Sequence, residues 1–320
     1  TLPNINAFDH VITYVQYNGN DYWLDPTRSY QYGGIDTIQQ ADYGYALVLR
    51  PGTTGLTQMQ PSPARYGVIV KDVFTIPEKG DIDFSSATVY YGGDAASQRR
   101  RFASKGLDQI QREYLELFQS YYPDTEVIDS IKFDDNADNN IVSTSEHYLI
   151  RNFWHDNTQE QHLEASFYGN IVSYSLSIPD ESGRRHPLYL THPEHLEQTI
   201  ELNFAGGNWD FDNENFIEDN EFFHFQNKVE FAENKRRLTL LYSYQNKADY
   251  VPAEKYQDYL AALKRVENYL SYGIYKNTPA SASAPSSTGT TTATANDQAE
   301  FYPVFIALAG LYLLLYLMVF

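Results

Sequence analysis

Two apolar rhythms run along this chain, and the change from one to the other predicts its elements. Apolar side chains at every second position mark half-buried strands, and recurrence at three and four marks one face of a helix. The period of two predicts strands over Tyr66–Ile76, Ala87–Tyr91, Glu126–Phe133 and Ile141–Phe153. It continues at Leu163–Tyr168, Ile171–Ile178, Leu196–Phe204, Phe222–Phe231 and Arg237–Gln245, with turn-rich spacers between them. Helical spacing joins Leu107, Ile110, Tyr114, Leu117, Phe118 and Tyr121, and Pro123 closes that segment. A second helix is predicted to start after Pro252 and stop at Gly273, with Tyr256, Leu260, Leu263 and Leu270 on one face. The predicted fold class is α+β. A small strand–helix–strand layer precedes a β-sandwich with a closing helix, and the body over 66–275 carries two helices.

Beyond this body the rhythm stops. Every residue from Thr278 to Ala295 is Thr, Ser, Ala, Pro or Gly. Such a segment buries too little apolar surface to offset its ordering entropy, so a flexible linker is expected over 277–300. Phe301–Phe320, FYPVFIALAGLYLLLYLMVF, then runs without a charge. As a helix it measures about 30 Å, the thickness of a bilayer's hydrocarbon core. A buried core helix is the competing reading, but an all-round apolar helix behind such a linker has no core to enter. A single transmembrane helix is therefore predicted, with the membrane as a partner. The residues before it are acidic, Asp297 and Glu300, and the nearest upstream base is Lys276. Basic flanks mark the cytoplasmic side, so the body is expected outside the cytoplasm.

Composition narrows the function classes. The net charge is −19 and the pI about 4.7. The one basic run, Arg99-Arg100-Arg101, is short and reads as a solvated helix face. Nucleic acid is excluded as a main partner, because counterion release needs a basic patch. There is no Cys, which excludes disulfides, thiolate metal sites and a Cys nucleophile within these residues. The chain opens Thr1-Leu2-Pro3 without a Met and stops at Phe320 inside the apolar run, so both ends are expected to be cuts.

Candidate chemistry lies near the N-terminus. Phe8-Asp9-His10-Val11-Ile12 leads to Asn18-Gly19-Asn20 and then to Tyr22-Trp23-Leu24-Asp25-Pro26-Thr27. Apolar alternation on both sides of Asn-Gly signals a hairpin with a two-residue type I′ loop. In that register Tyr17 faces Asn20, His10 faces Thr27, and Asp25 is the diagonal neighbour of His10 on the same face. A three-residue loop would put His10 and Asp25 on opposite faces. An imidazole held by a carboxylate in one tautomer is what a Cys nucleophile needs to act as a thiolate. Pro26 restricts the backbone beside Asp25.

These His and Asp motifs resemble those of the transglutaminase-like superfamily. More narrowly, they resemble bacterial envelope proteins in which such a core is flanked by β-rich domains. The order in that family is Cys, His, Asp. The resemblance implies that residues 1–60 end a papain-like core, with His10 as base and imidazolium partner and Asp25 as its orienting acid. Trp23 and Pro26 would support them, and the Cys would lie upstream of Thr1. It also implies acyl transfer or hydrolysis at amide bonds through a thioester, a protein or peptide substrate, and no cofactor. The implied location, with the predicted anchor, is the periplasmic face of the inner membrane. A non-catalytic envelope protein that binds a partner or glycan is the alternative, and the missing Cys fits it literally.

Weaker signals point elsewhere. Asp210, Asp212, Glu214, Glu218 and Glu221 match several ligand positions of a calcium loop but lack its Gly, so a solvated acidic loop is expected. Asp134–Asn140 reads as a strand-connecting turn. His186, His192 and His195 read as loop histidines rather than a zinc site. No metal is assigned.

Overall fold

A computed structural model describes residues 8, 10–40, 43–60, 67–158, 162–179 and 184–277. In chain order the elements begin with β1 (Thr13–Tyr17), β2 (Asn20–Leu24), β3 (Tyr45–Ala46), β4 (Thr57–Gln58), β5 (Gly67–Ile76) and β6 (Ile82–Tyr91). Helices α1 (Gly92–Ser104) and α2 (Leu107–Tyr121) follow, then β7 (Thr125–Asn136), β8 (Ile141–Ile150), β9 (His155–Asn157) and β10 (His162–Tyr168). A short α3 (Asn170–Ser173) leads to β11 (Leu188–Tyr189), β12 (His195–Phe204), β13 (Glu214–Asp219), β14 (Phe223–Ala232), β15 (Arg237–Asn246) and β16 (Tyr250–Val251). Helix α4 (Tyr256–Glu267) and β17 (Ser271–Asn277) end the described chain.

Eight strands form one sheet in the order β13-β14-β15-β12-β5-β6-β8-β7. Strands β13, β14, β15 and β12 pair antiparallel, whereas β12 and β5 run parallel from Leu196↔Val68 to Phe204↔Ile76. Alternation gives the sheet one apolar face. Phe74, Ile82, Leu202, Phe225 and Leu240 point into a single core that α2, α3 and α4 also enter. Strands β10 and β17 add Phe167, Tyr272 and Ile274 to that core.

Contacts divide the chain into two units. The first comprises the described residues within 8–67, 89–106 and 133–143, and the second those within 68–88, 107–132 and 144–277. The large apolar core lies in the second unit. The first has a small core of its own, in which Trp23 and Met59 are buried with Ile12, Tyr14, Ala46 and Val48 packed against them.

The α+β expectation is corrected. Strand outweighs helix by 44% to 20%, so the protein is mostly β, with four α-helices rather than two among the described residues. Helix α1 is the unexpected long one. Its buried side is Ala95, Ala96 and Arg99 instead of a run of large apolar residues, so the sequence shows no helical stripe there. The strand expected over 171–178 is α3 and a turn, because Val172 and Leu176, four apart, are both buried and Ser173 N–H bonds the Gly169 carbonyl at 3.0 Å. The closing helix ends at Glu267, not at Gly273. From Ser271 the period changes to two, Tyr272 and Ile274 turn inward, and the segment pairs with β10. The acidic segment expected as a loop contains the edge strand β13.

Among the described residues no helix is long and apolar enough to cross a membrane. Helix α2, with 15 residues, would reach only about 22 Å and carries Asp108, Arg112, Glu113 and Glu116. The span expected over 301–320 lies outside the described residues. The predicted transmembrane helix is therefore not supported, and neither is the membrane as a partner. The extracytoplasmic and periplasmic placement that depended on it is withdrawn as well.

Candidate active site

The site is built on the β1–β2 hairpin. Asn18 and Gly19 both adopt positive φ, 49° and 80°, as a type I′ turn requires. The register runs from Tyr17↔Asn20 to Thr13↔Leu24, the one the Asn-Gly pair implies. His10 and Asp25 lie just past the paired ends of the two strands rather than within them. Their side chains nonetheless meet, with His10 Nε2 2.9 Å from Asp25 Oδ2.

Asp25 is the centre of a dense set of donors. Its side chain is only 3% exposed, against 35% for His10. The hydroxyl of Thr27 donates to Oδ1 at 2.7 Å and its amide donates at 3.0 Å, an Asx turn closed over Pro26. Tyr43 donates its hydroxyl to Oδ2 at 3.1 Å, the oxygen that also faces His10. Arg28 Nε stands 3.6 Å from the same oxygen. Burial pushes the Asp25 carboxyl up, but the hydrogen bonds from Thr27, His10 and Tyr43 outweigh it and hold the group at about 2. Asp25 is therefore ionised at neutral pH. With Nε2 turned to that anion, the neutral imidazole keeps its proton there and presents Nδ1 to a second group.

The two supporting residues take different positions. Trp23 is buried at 2% exposure, packs against Tyr14 with ring centroids 4.6 Å apart, and donates its backbone amide to Gln40 Oε1 at 2.8 Å. Its indole Nε1 has no acceptor among the described residues. Pro26 is exposed at the turn after Asp25.

Arg99 is the principal residue that sequence reasoning misjudged. It is not on a solvated face but 4% exposed. Its Nε reaches both oxygens of Asp135 at 2.9 and 3.1 Å. Nη1 donates to Asn140 Oδ1 at 2.8 Å and to the Tyr30 carbonyl at 3.2 Å, and the guanidinium lies 4.7 Å from the Tyr32 ring. Gln39 accepts from the Gly93 amide. These bonds tie the loop after Asp25 to α1 and to the turn between β7 and β8, all within the first unit. A charge run gives no hint of this, because only the fold brings Asp135 and Asn140 to one guanidinium. Thr27 was present in the Asp-Pro-Thr string, and Asp two residues before Thr is itself an Asx-turn signal. The stretch Asp42-Tyr43-Gly44-Tyr45-Ala46 to Pro51-Gly52 also resembles the end of the transglutaminase-like core, but nothing local marks the Tyr43 hydroxyl as a donor to Asp25.

Among the described residues no three His, Cys, Asp or Glu side chains converge to hold a metal ion. No family model matches the chain, and no curated protein or solved structure matches it either.

Proposed function

We propose that these 320 residues are the C-terminal portion of a transglutaminase-like cysteine enzyme that acts on amide bonds by acyl transfer or hydrolysis. One observation carries the reading: His10 Nε2 lies 2.9 Å from a buried, ionised Asp25, which leaves Nδ1 for a thiol. The nucleophile is a Cys outside these residues, since none of the 320 is Cys. His10 Nδ1 takes the thiol proton, and the imidazolium beside Asp25 stabilises the thiolate. Sulfur attacks the amide carbonyl carbon, the S–C bond forms, the C–N bond breaks, and the Nδ1 proton leaves on the amine. Water or a second amine then attacks the thioester carbon and gives its proton to Nδ1. The new C–O or C–N bond forms, the S–C bond breaks, and Nδ1 returns the proton to the departing thiolate. Asp25 stays ionised throughout and fixes the tautomer.

In the longer protein that contains the Cys, His10→Ala is expected to abolish turnover. Asp25→Asn is expected to lower kcat by roughly 10³–10⁴-fold, the scale of losing tautomer control in a comparable triad. The 320-residue chain alone is expected to give no turnover above background. Turnover that survives His10→Ala retires the mechanism. A longer, Cys-containing protein that shows no turnover even in the wild type leaves the second reading, a non-catalytic binding or structural protein.

A further inference from the structure

We propose that Tyr43 is a positioning residue of the His10–Asp25 pair, its hydroxyl completing the coordination of the carboxylate and its ring edge fixing the plane of the imidazole. The proposal rests on the reading of His10 and Asp25 as a catalytic pair. An ionised carboxylate offers about four lone-pair sites. At Asp25 the Thr27 amide and hydroxyl occupy Oδ1, and His10 and Tyr43 occupy Oδ2. With four donors on four sites the carboxylate is saturated, and Arg28, at 3.6 Å, adds charge without a further bond. While His10 Nε2 and Tyr43 share Oδ2, no lone pair of Asp25 is left for water to compete for.

Geometry gives Tyr43 a second grip on His10. The two rings lie 5.5 Å apart at 67°, an edge-on contact that opposes rotation of the imidazole about its own axis. Tyr43 can hold this position because its backbone is pinned. Its amide reaches Met59 Sδ at 3.4 Å, and the Met59 amide donates to the Gly44 carbonyl at 2.9 Å. Met59 and Trp23 are the buried centre of the small core, and Trp23 lies two residues before Asp25. A tyrosine 49% exposed is thus anchored at its backbone and aimed at its tip, the arrangement of a group that orients others.

The experiment uses the intact chain and nuclear magnetic resonance. In the wild type the Asp25 carboxyl carbon is expected to keep its ionised shift between about pH 6 and pH 3, since its midpoint lies at about 2. Tyr43→Phe keeps the ring and removes one donor, so the carbon is expected to begin titrating inside that window as the midpoint moves toward 3.8. Tyr43→Leu also removes the ring edge, and the imidazole nitrogen shifts of His10 are then expected to show a lower share of the Nε2–H tautomer. The Trp23 indole signal, unchanged in both variants, certifies that the small core is intact. A Tyr43→Phe titration that superimposes on the wild type, with the His10 tautomer ratio unchanged in Tyr43→Leu, overturns the proposal. None of these readouts needs turnover, so that result would leave the catalytic reading of the pair to its own test by His10→Ala.

Discussion

Two buried carboxylates in this protein have opposite surroundings. Asp25 accepts from donors at both oxygens. Asp72, on the central strand β5 and 6% exposed, accepts from Gln198 Nε2 at 2.8 Å and from Ser86, while its Oδ1 has no partner among the described residues. Burial pushes Asp72 up to about 6 against the pull of those two bonds. The folded state therefore holds a proton that the unfolded state releases above its ordinary value of 3.8. Stability from this group is full below about pH 4, falls as the pH rises to about 6, and stays low above that, a loss on the order of 3 kcal/mol. Asp72→Asn, which cannot ionise, is expected to be more stable than the wild type at pH 7.5 and to lose this part of the pH dependence. Urea unfolding of both proteins at about pH 4.5 and pH 7.5 checks it, because the difference between them removes the contribution of other groups. Parallel pH slopes for the two would show that Asp72 is not buried as a neutral acid. At this scale the sequence was a partial guide: alternation places Asp72 on the face of Val70, Phe74 and Ile76, whereas nothing local distinguishes Arg99 from a surface charge.

Elements were legible where one local rule was enough. The β1–β2 hairpin follows from Asn-Gly and alternation, and α2 from its apolar stripe. Gly19 tests the turn directly. It sits at φ +80 with nothing within 4 Å of an added Cβ, so Gly19→Ala is expected to cost only the backbone strain, about 1 kcal/mol. Gly33, at φ +93, would add a collision of the new Cβ with Thr37 Oγ1, so Gly33→Ala is expected to cost more. Unfolding midpoints for the two variants should rank in that order, and a reversed order would contradict the turn geometry. Where elements were misread, two rhythms overlapped. Residues 256–274 run from helical spacing into alternation without a break, and only pairing of Ser271–Asn277 with β10 decides where the helix stops. Residues 171–178 are apolar enough for a strand, but they occupy a short helical turn whose Ile171 amide is taken by Gln198.

For the whole molecule, the balance of charge makes a prediction that no single pair does. Forty-two acidic residues face 23 Lys and Arg, so the folded chain repels itself. Several cations are shared between acids, as Arg151 is between Asp81 and Glu126 and His147 between Asp83 and Asp129. Exposed pairs of this kind contribute little each, and salt screens them along with the repulsion. The excess of like charge is the larger effect. Raising NaCl from about 20 mM to about 300 mM at pH 7 is therefore expected to raise the thermal midpoint. A midpoint that falls would mean that the ion pairs outweigh the repulsion.

By itself the sequence determined the β1–β2 register, the meeting of His10 with Asp25, helix α2 and most of the strands of the eight-stranded sheet. Each follows from interactions among residues close in the chain, through turn chemistry and periodicity. Only the tertiary structure decided that β12 pairs in parallel with β5, which lies more than a hundred residues earlier. It alone buried Arg99 with Asp135 and Asn140, and it alone brought Tyr43 to the oxygen that His10 occupies. The physical reason is the same in each case. A period of two or of 3.6 states which face of an element is apolar, but the partner that covers the face, or that satisfies a buried charge, comes from elsewhere in the chain and leaves no local mark.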